Sequence, residues 1–261
     1  MAVSVNLSTR TFSADDVFTG RLAGCSFKEL LQQSAAVIFR QFFSAEESHS
    51  ITDTIYHLKE FWHPNYGGEQ YSLGRVWYTH VDEGIKDEYV RGAEESNRII
   101  ESHFPGLYER IRTFCAIIQQ GEPVALRKGW AGPGFVIFPA NGRCAEIGGD
   151  IHYDWEGLTD GQLDDPKAEA YSFISMLQKP HTGGGLRIWN MFYDRVRKRE
   201  ELVPKASPPA AESLVIDYEI GGLLVIDSFR LHQIQPFGGE IDRICLTFHT
   251  ARYQDGWYVW F

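Results

Sequence analysis

From residue 124 onward the chain is cut into short apolar runs of four to seven residues, at 135–138, 171–177, 186–191, 214–218, 223–226 and 243–248, with glycine and proline between them. These runs are rich in β-branched and aromatic residues and suit strands, since helices run to about ten residues or more. A parallel α/β sheet would put a helical segment between successive strands. The spacing therefore predicts a mainly β chain built as a jelly roll or barrel.

The N-terminal part reads differently. Ser26 precedes Phe27-Lys28-Glu29-Leu30-Leu31 and caps a short helix there, and residues 35–39 form a short strand of buried character. Ser44, with Glu47 three residues on, is a capping box that opens a helix to about residue 61. Between residues 94 and 120, Ile99, Ile100, Phe104, Leu107, Ile111 and Phe114 recur at helical spacing, and Pro105 interrupts them. That stripe is a core face or two helices packed on a sheet. N-terminal helices added to a β core are the expected architecture.

A chain of 261 residues with 43% hydrophobic and 14% aromatic content can bury a core, and one domain over 1–261 is expected. The net charge of −10 argues against nucleic acid, because polyanion binding depends on neutralising phosphates. Cys25, Cys115, Cys144 and Cys245 form no Cys-x-x-Cys pair, so reduced, mostly buried thiols are expected. Residues 1–16 lack a basic segment followed by an apolar run, and no apolar stretch approaches the roughly 18 residues of a membrane helix. A cytoplasmic protein without nucleic-acid or membrane partners, acting as a monomer or homodimer, is the expectation. Two long connections, 155–169 and 193–212, read as surface insertions at the rim and as lids. The second carries Arg195-Val196-Arg197-Lys198-Arg199, followed by Glu200-Glu201 and read as a solvated loop, and Ser207-Pro208-Pro209.

His152-Tyr153-Asp154 sets an imidazole and a carboxylate at i and i+2, which on a strand puts both on one face. His232, after the strand 223–226 and its continuation 227–231, offers a third ligand. Two histidines and one carboxylate are the donor set of a non-haem iron(II) oxygenase, which leaves three positions open for a chelating cosubstrate and O2. Eleven residues after His232 comes Arg243, in a strand where Arg243, Cys245 and Thr247 share a face. An arginine inside a small barrel needs a carboxylate, and the distal carboxylate of 2-oxoglutarate fits its planar fork. An internal Asp or Glu partner, or an exposed Arg243, is the alternative.

This layout resembles the Fe(II)/2-oxoglutarate-dependent oxygenase superfamily, and within it the hydroxylase relatives of the alkaloid and free-amino-acid halogenases. The resemblance is carried by residues 171–189, with Gly183-Gly184-Gly185-Leu186 opening a strand, and by Gly221-Gly222-Leu223-Leu224-Val225-Ile226-Asp227. His232-Gln233-Ile234-Gln235-Pro236-Phe237-Gly238-Gly239, Trp257-Tyr258-Val259-Trp260 and the entry at 37–47 add to it. It implies a double-stranded β-helix core, cupin-like; Fe(II) held by His152, Asp154 and His232; and 2-oxoglutarate and O2 as cosubstrates, with Arg243 anchoring the former. Many members of the superfamily carry Ser where Cys245 stands, and Thr247 is the substitute donor. The halogenases of this group have a small residue at the position of Asp154, where chloride reaches the iron. Asp154 therefore implies oxygen insertion.

The implied activity is hydroxylation of an unactivated C–H bond of a small molecule, an amino acid or a natural-product intermediate. Desaturation, epimerisation or cyclisation by the same chemistry, and a non-catalytic metal-binding sensor, are the alternatives. Trp155, Trp189 and His249 are the candidate substrate residues. His49, His57 and His63 lack a metal-binding spacing and read as surface or structural. His181 and Asn141 read as turn residues.

Overall fold

The computed structural model describes residues 7–165, 167–193 and 210–261, so the basic run 195–199 and Ser207-Pro208-Pro209 lie outside the described residues. Local signals set the N-terminal elements. A strand β1 (Thr9–Ser13) leads into α1 (Ala14–Phe18), and Ser26 opens α2 (Phe27–Gln32) with a capping box closed by Glu29. Then come β2 (Ala36–Arg40) and α3 (Ala45–His57), whose capping box is Ser44 with Glu47, satisfying two orphan amides at the helix start. Short strands β3 (His63–Asn65) and β4 (Gln70–Leu73) precede α4 (Trp77–Asp82). The helical stripe is two helices, α5 (Lys86–His103) and α6 (Leu107–Ile118), parted at Pro105 and Gly106.

The β-rich remainder runs through β5 (Val124–Leu126), β6 (Gly134–Phe138), α7 (Arg143–Ile147), α8 (Asp160–Asp164), β7 (Ala170–Gln178), β8 (Thr182–Gly183) and β9 (Leu186–Phe192). It continues through β10 (Ser213–Ile216), β11 (Leu223–Asp227), β12 (Arg230–Ile234), β13 (Phe237–Gly238), β14 (Arg243–Tyr253) and β15 (Gly256–Trp260). A large sheet is ordered β1-β2-β11-β7-β14-β6-β4-β3, with β15 joining β14 to β5. A small sheet, β10-β9-β12, faces it, and β8 pairs with β13. This is the jelly-roll core of a cupin-type fold.

Strand periodicity assigns the two faces of the large sheet. On β7, Tyr171, Phe173 and Leu177 pack outward with Phe39 of β2 and with Phe27, Ile111 and Phe114 of the helical layer, while Met176 turns inward onto Leu186, Ile188 and Ile226. On β14, Ile244, Leu246 and Phe248 go outward, and Arg243, Cys245, Thr247 and His249 line the interior. The central aromatic contact, Phe173 on Phe248, is stacked at 4.4 Å.

Two expectations need correction. The strand ends at Asp227 and residues 228–231 do not continue β11: the chain turns at Ser228 and Phe229, and β12 crosses to the small sheet, so His232 sits inside a strand. His152 and Asp154 are not on a regular strand either. His152 makes an isolated antiparallel bridge to His232, each backbone donating to the other, at 3.1 and 3.0 Å. The four thiols are free, with only Cys25 partly exposed. Among the described residues no helix is long and apolar enough to cross a membrane.

His63 is structural. Its ring stacks on the buried His80 at 4.9 Å, with Arg75 Nη1 3.1 Å from Nδ1. Burial, the guanidinium and His80 lower its pKa from 6.5 to about 4. Between those values the unfolded chain binds more protons than the folded one, so stability rises with pH there and is lost as pH falls from 6.5 toward 4. The melting temperature of the native protein should drop more across that window than that of His63→Phe. A difference independent of pH would refute the assignment.

Candidate active site

Between the sheets lies a cavity of about 690 Å³. His232 is brought there by β12 and His152 by its bridge to it; Asp154 follows as its amide donates to the Ser228 carbonyl at 2.9 Å. Asp154 Oδ1 is 3.4 Å from His152 Nε2 and Oδ2 is 3.3 Å from His232 Nε2. The three donor atoms lie within 4.8 Å of one another.

Each Nδ1 faces a backbone carbonyl, Asp150 O at 2.8 Å from His152 and Arg230 O at 2.9 Å from His232. Those carbonyls accept, so Nδ1 carries the proton and Nε2 is left as the donor toward the centre. Burial opposes charge here, yet the paired imidazoles hold the Asp154 carboxyl well below its usual range. Against the same burial, Asp154 lifts His152 to about 9. The set fits a divalent metal ion, which two fixed imidazoles and an ionised carboxylate on the cavity wall would hold.

At the closed end, Arg243 is 1% exposed. Its Nε donates to the Gly184 carbonyl at 3.1 Å, and Nη1 lies 3.4 Å from Cys245 Sγ, itself 3.5 Å from Thr247 Oγ1. Among the described residues no carboxylate pairs with it. Beside it the buried Tyr218 hydroxyl has no partner among those residues, and its ring lies 5.3 Å from the guanidinium. A buried cation and an unpaired hydroxyl on one cavity wall suit a carboxylate ligand. The chain passes Arg243 at Gly184 with φ +73°, where a Cβ would stand 2.9 Å from Pro180 Cγ, so glycine alone fits.

His249 lines the cavity, its Nδ1 3.1 Å from Ser172 Oγ, which is 2.8 Å from Ser228 Oγ. Burial lowers its pKa, with Asp154 opposing and the other two histidines adding to the shift. Trp155 lines the cavity and stacks on Tyr193 at 5.8 Å. Trp189 does not line it: it is packed with Ile151 and Leu231, a correction that follows from β9 turning that side chain into the core. Asn141 stands in the turn closed by Gly142 N to Pro139 O at 3.0 Å.

Sequence reasoning missed Tyr218, Ser172, Glu156, Tyr78 and Tyr66. Glu156 continues the alternate spacing of His152 and Asp154, a signal that was available. Tyr78 lies on α4, which has no side-chain cap and is built of residues that favour strands. Burial and the nearby Asp154 raise the Glu156 carboxyl to about 7.

Residues 28–261 match the family described as carrier-protein-independent halogenase WelO5. No curated protein matches the chain in sequence. Crystal structures of an N-substituted L-amino acid dioxygenase from Burkholderia ambifaria AMMD share its fold, at 13% identity over 95% of this chain and 91% of that one. The TM-score is 0.54, and 0.53 for the form in complex with alpha-KG. With the match running over most of its length, the chain belongs to the carrier-protein-independent halogenase WelO5 family, and is an Fe(II)- and 2-oxoglutarate-dependent oxygenase that uses O2.

Proposed function

We propose that the protein hydroxylates an unactivated C–H bond of a small molecule, with His152, Asp154 and His232 holding the iron and Arg243 holding 2-oxoglutarate. When bound, the iron and its cosubstrates supply the oxidation, converting 2-oxoglutarate to succinate and CO2 and cleaving the substrate C–H bond. The chain's residues do the rest. Arg243 and Tyr218 orient the distal carboxylate, Trp155 and Tyr193 wall the mouth against water, and His249, kept neutral by burial, adds no charge beside the donors.

The observation that carries oxygen insertion is the Asp154 carboxylate between two imidazole nitrogens, at 3.4 and 3.3 Å. Halogenases of the resembling group keep a small residue there. A halide must displace a carboxylate that is tethered and therefore present at high effective concentration.

The protein should form succinate from 2-oxoglutarate with Fe(II) alone, which a metal-binding sensor would not. Mass spectrometry of a metabolite extract treated in high chloride under ¹⁸O2 should find a product that has gained labelled oxygen. A chlorinated product lacking the label would overturn the assignment.

A further inference from the structure

The mouth of the cavity has a charge balance that the oxidation does not explain. Glu69, Asp82 and Asp150 are exposed there, and Glu156 stands half-buried below them. The only lysine or arginine among the described residues of the mouth is Arg143, already engaged by Asp150 at 3.5 Å and Glu69 at 3.8 Å. Asp82 accepts from the Tyr66 hydroxyl at 2.8 Å. The Glu156 carboxylate has no lysine or arginine partner among the described residues.

Glu156 is held in place. The Trp77 indole donates to its carbonyl at 2.7 Å, and at the next residue, Gly157, a Cβ would stand 2.5 Å from Trp260 Nε1. Aromatic rings line the same cavity: Tyr66, Tyr78, Tyr153, Trp155 and Tyr193 share its walls with Glu156. A ligand that covers a carboxylate strips its water, which is unfavourable unless a cation takes the water's place. Aromatic faces attract that same cation and pack the apolar body attached to it.

Resting on the hydroxylase reading above, we propose that the substrate is a protonated amine on an aromatic or apolar body, with Glu156 as its ion-pair partner. A substrate with a free carboxylate would bring a further anion to a mouth whose one guanidinium is occupied. Free amino acids are thereby disfavoured.

The test is calorimetry on the enzyme loaded with Mn(II) and 2-oxoglutarate, which does not turn over. Phenethylamine, phenethyl alcohol and hydrocinnamate serve as cationic, neutral and anionic probes of one shape. Failure to take up Mn(II) and 2-oxoglutarate would count against the hydroxylase reading itself. Given loading, phenethylamine should bind about tenfold tighter than either other probe, and Glu156→Gln should erase that gap. Asp82→Asn, at an exposed position, should narrow it and serves if the first variant does not fold. Absence of saturable amine binding, equal or tighter binding of the alcohol or acid, or a gap that survives Glu156→Gln would overturn the proposal.

Discussion

Replacing Arg243 by Met is expected to raise the 2-oxoglutarate Kd by about 30-fold to several-thousand-fold, the equivalent of about 2–5 kcal/mol for one lost partner of a buried charge pair. The guanidinium is buried, and its neighbours are a carbonyl, a thiol and two aromatic rings. No protein anion neutralises it among the described residues, so on the proposed reading the ligand carboxylate would supply the charge. Calorimetry on Mn(II)-loaded protein checks this. Pyruvate, which chelates but has no distal carboxylate, should bind the variant as it binds the native protein. Tyr218→Phe should cost less, about 1 kcal/mol, as one neutral hydrogen bond. Without ligand, Arg243→Met should melt no lower than the native protein, because an apolar side chain replaces an unpaired buried charge. An unaltered 2-oxoglutarate Kd in Arg243→Met would sink the assignment.

Metal binding should collapse in His232→Ala. Outer partners of metal ligands are each worth about 10–100-fold in affinity, so loss of a direct donor should exceed about 100-fold. His232 is 3% exposed and contributes through its ring alone, because the bridge to His152 is made by backbone atoms that the substitution retains. Folding should therefore survive, and Mn(II) titration would separate a lost site from a lost fold. Asp154→Gly should also lose activity. Opening the third position does not create a chloride pocket or a substrate placed to avoid hydroxyl transfer. Full metal affinity in His232→Ala would remove that residue from the ligand set.

What could be read in the chain was set by interactions that close within a turn or a pleat. The capping boxes at Ser26 and Ser44 complete their hydrogen bonds inside three residues, and both helices start there. Alternation along residues 171–177 and 243–248 separates the Phe173 and Phe248 face from the Arg243 face, since the pleat permits no other arrangement. Spacing also paired His152 with Asp154 and grouped Arg243 with Cys245 and Thr247. The tertiary structure decided the remainder. His232 reaches Asp154 because β12 leaves the large sheet, pairs with β9 and shifts register between Arg230 and His232, which the run of residues 223–231 does not encode locally. Trp189, in the middle of β9, went to the core, and Trp155, in the irregular segment after Asp154, went to the cavity. Tyr218 at the closed end and Glu156 with the aromatic rim at the mouth come from segments far apart in sequence, and only long-range sheet pairing brings them to one cavity. Their roles come from what each faces once the sheets close: a hydroxyl left without a partner beside a buried guanidinium, and a carboxylate with no lysine or arginine partner among the described residues.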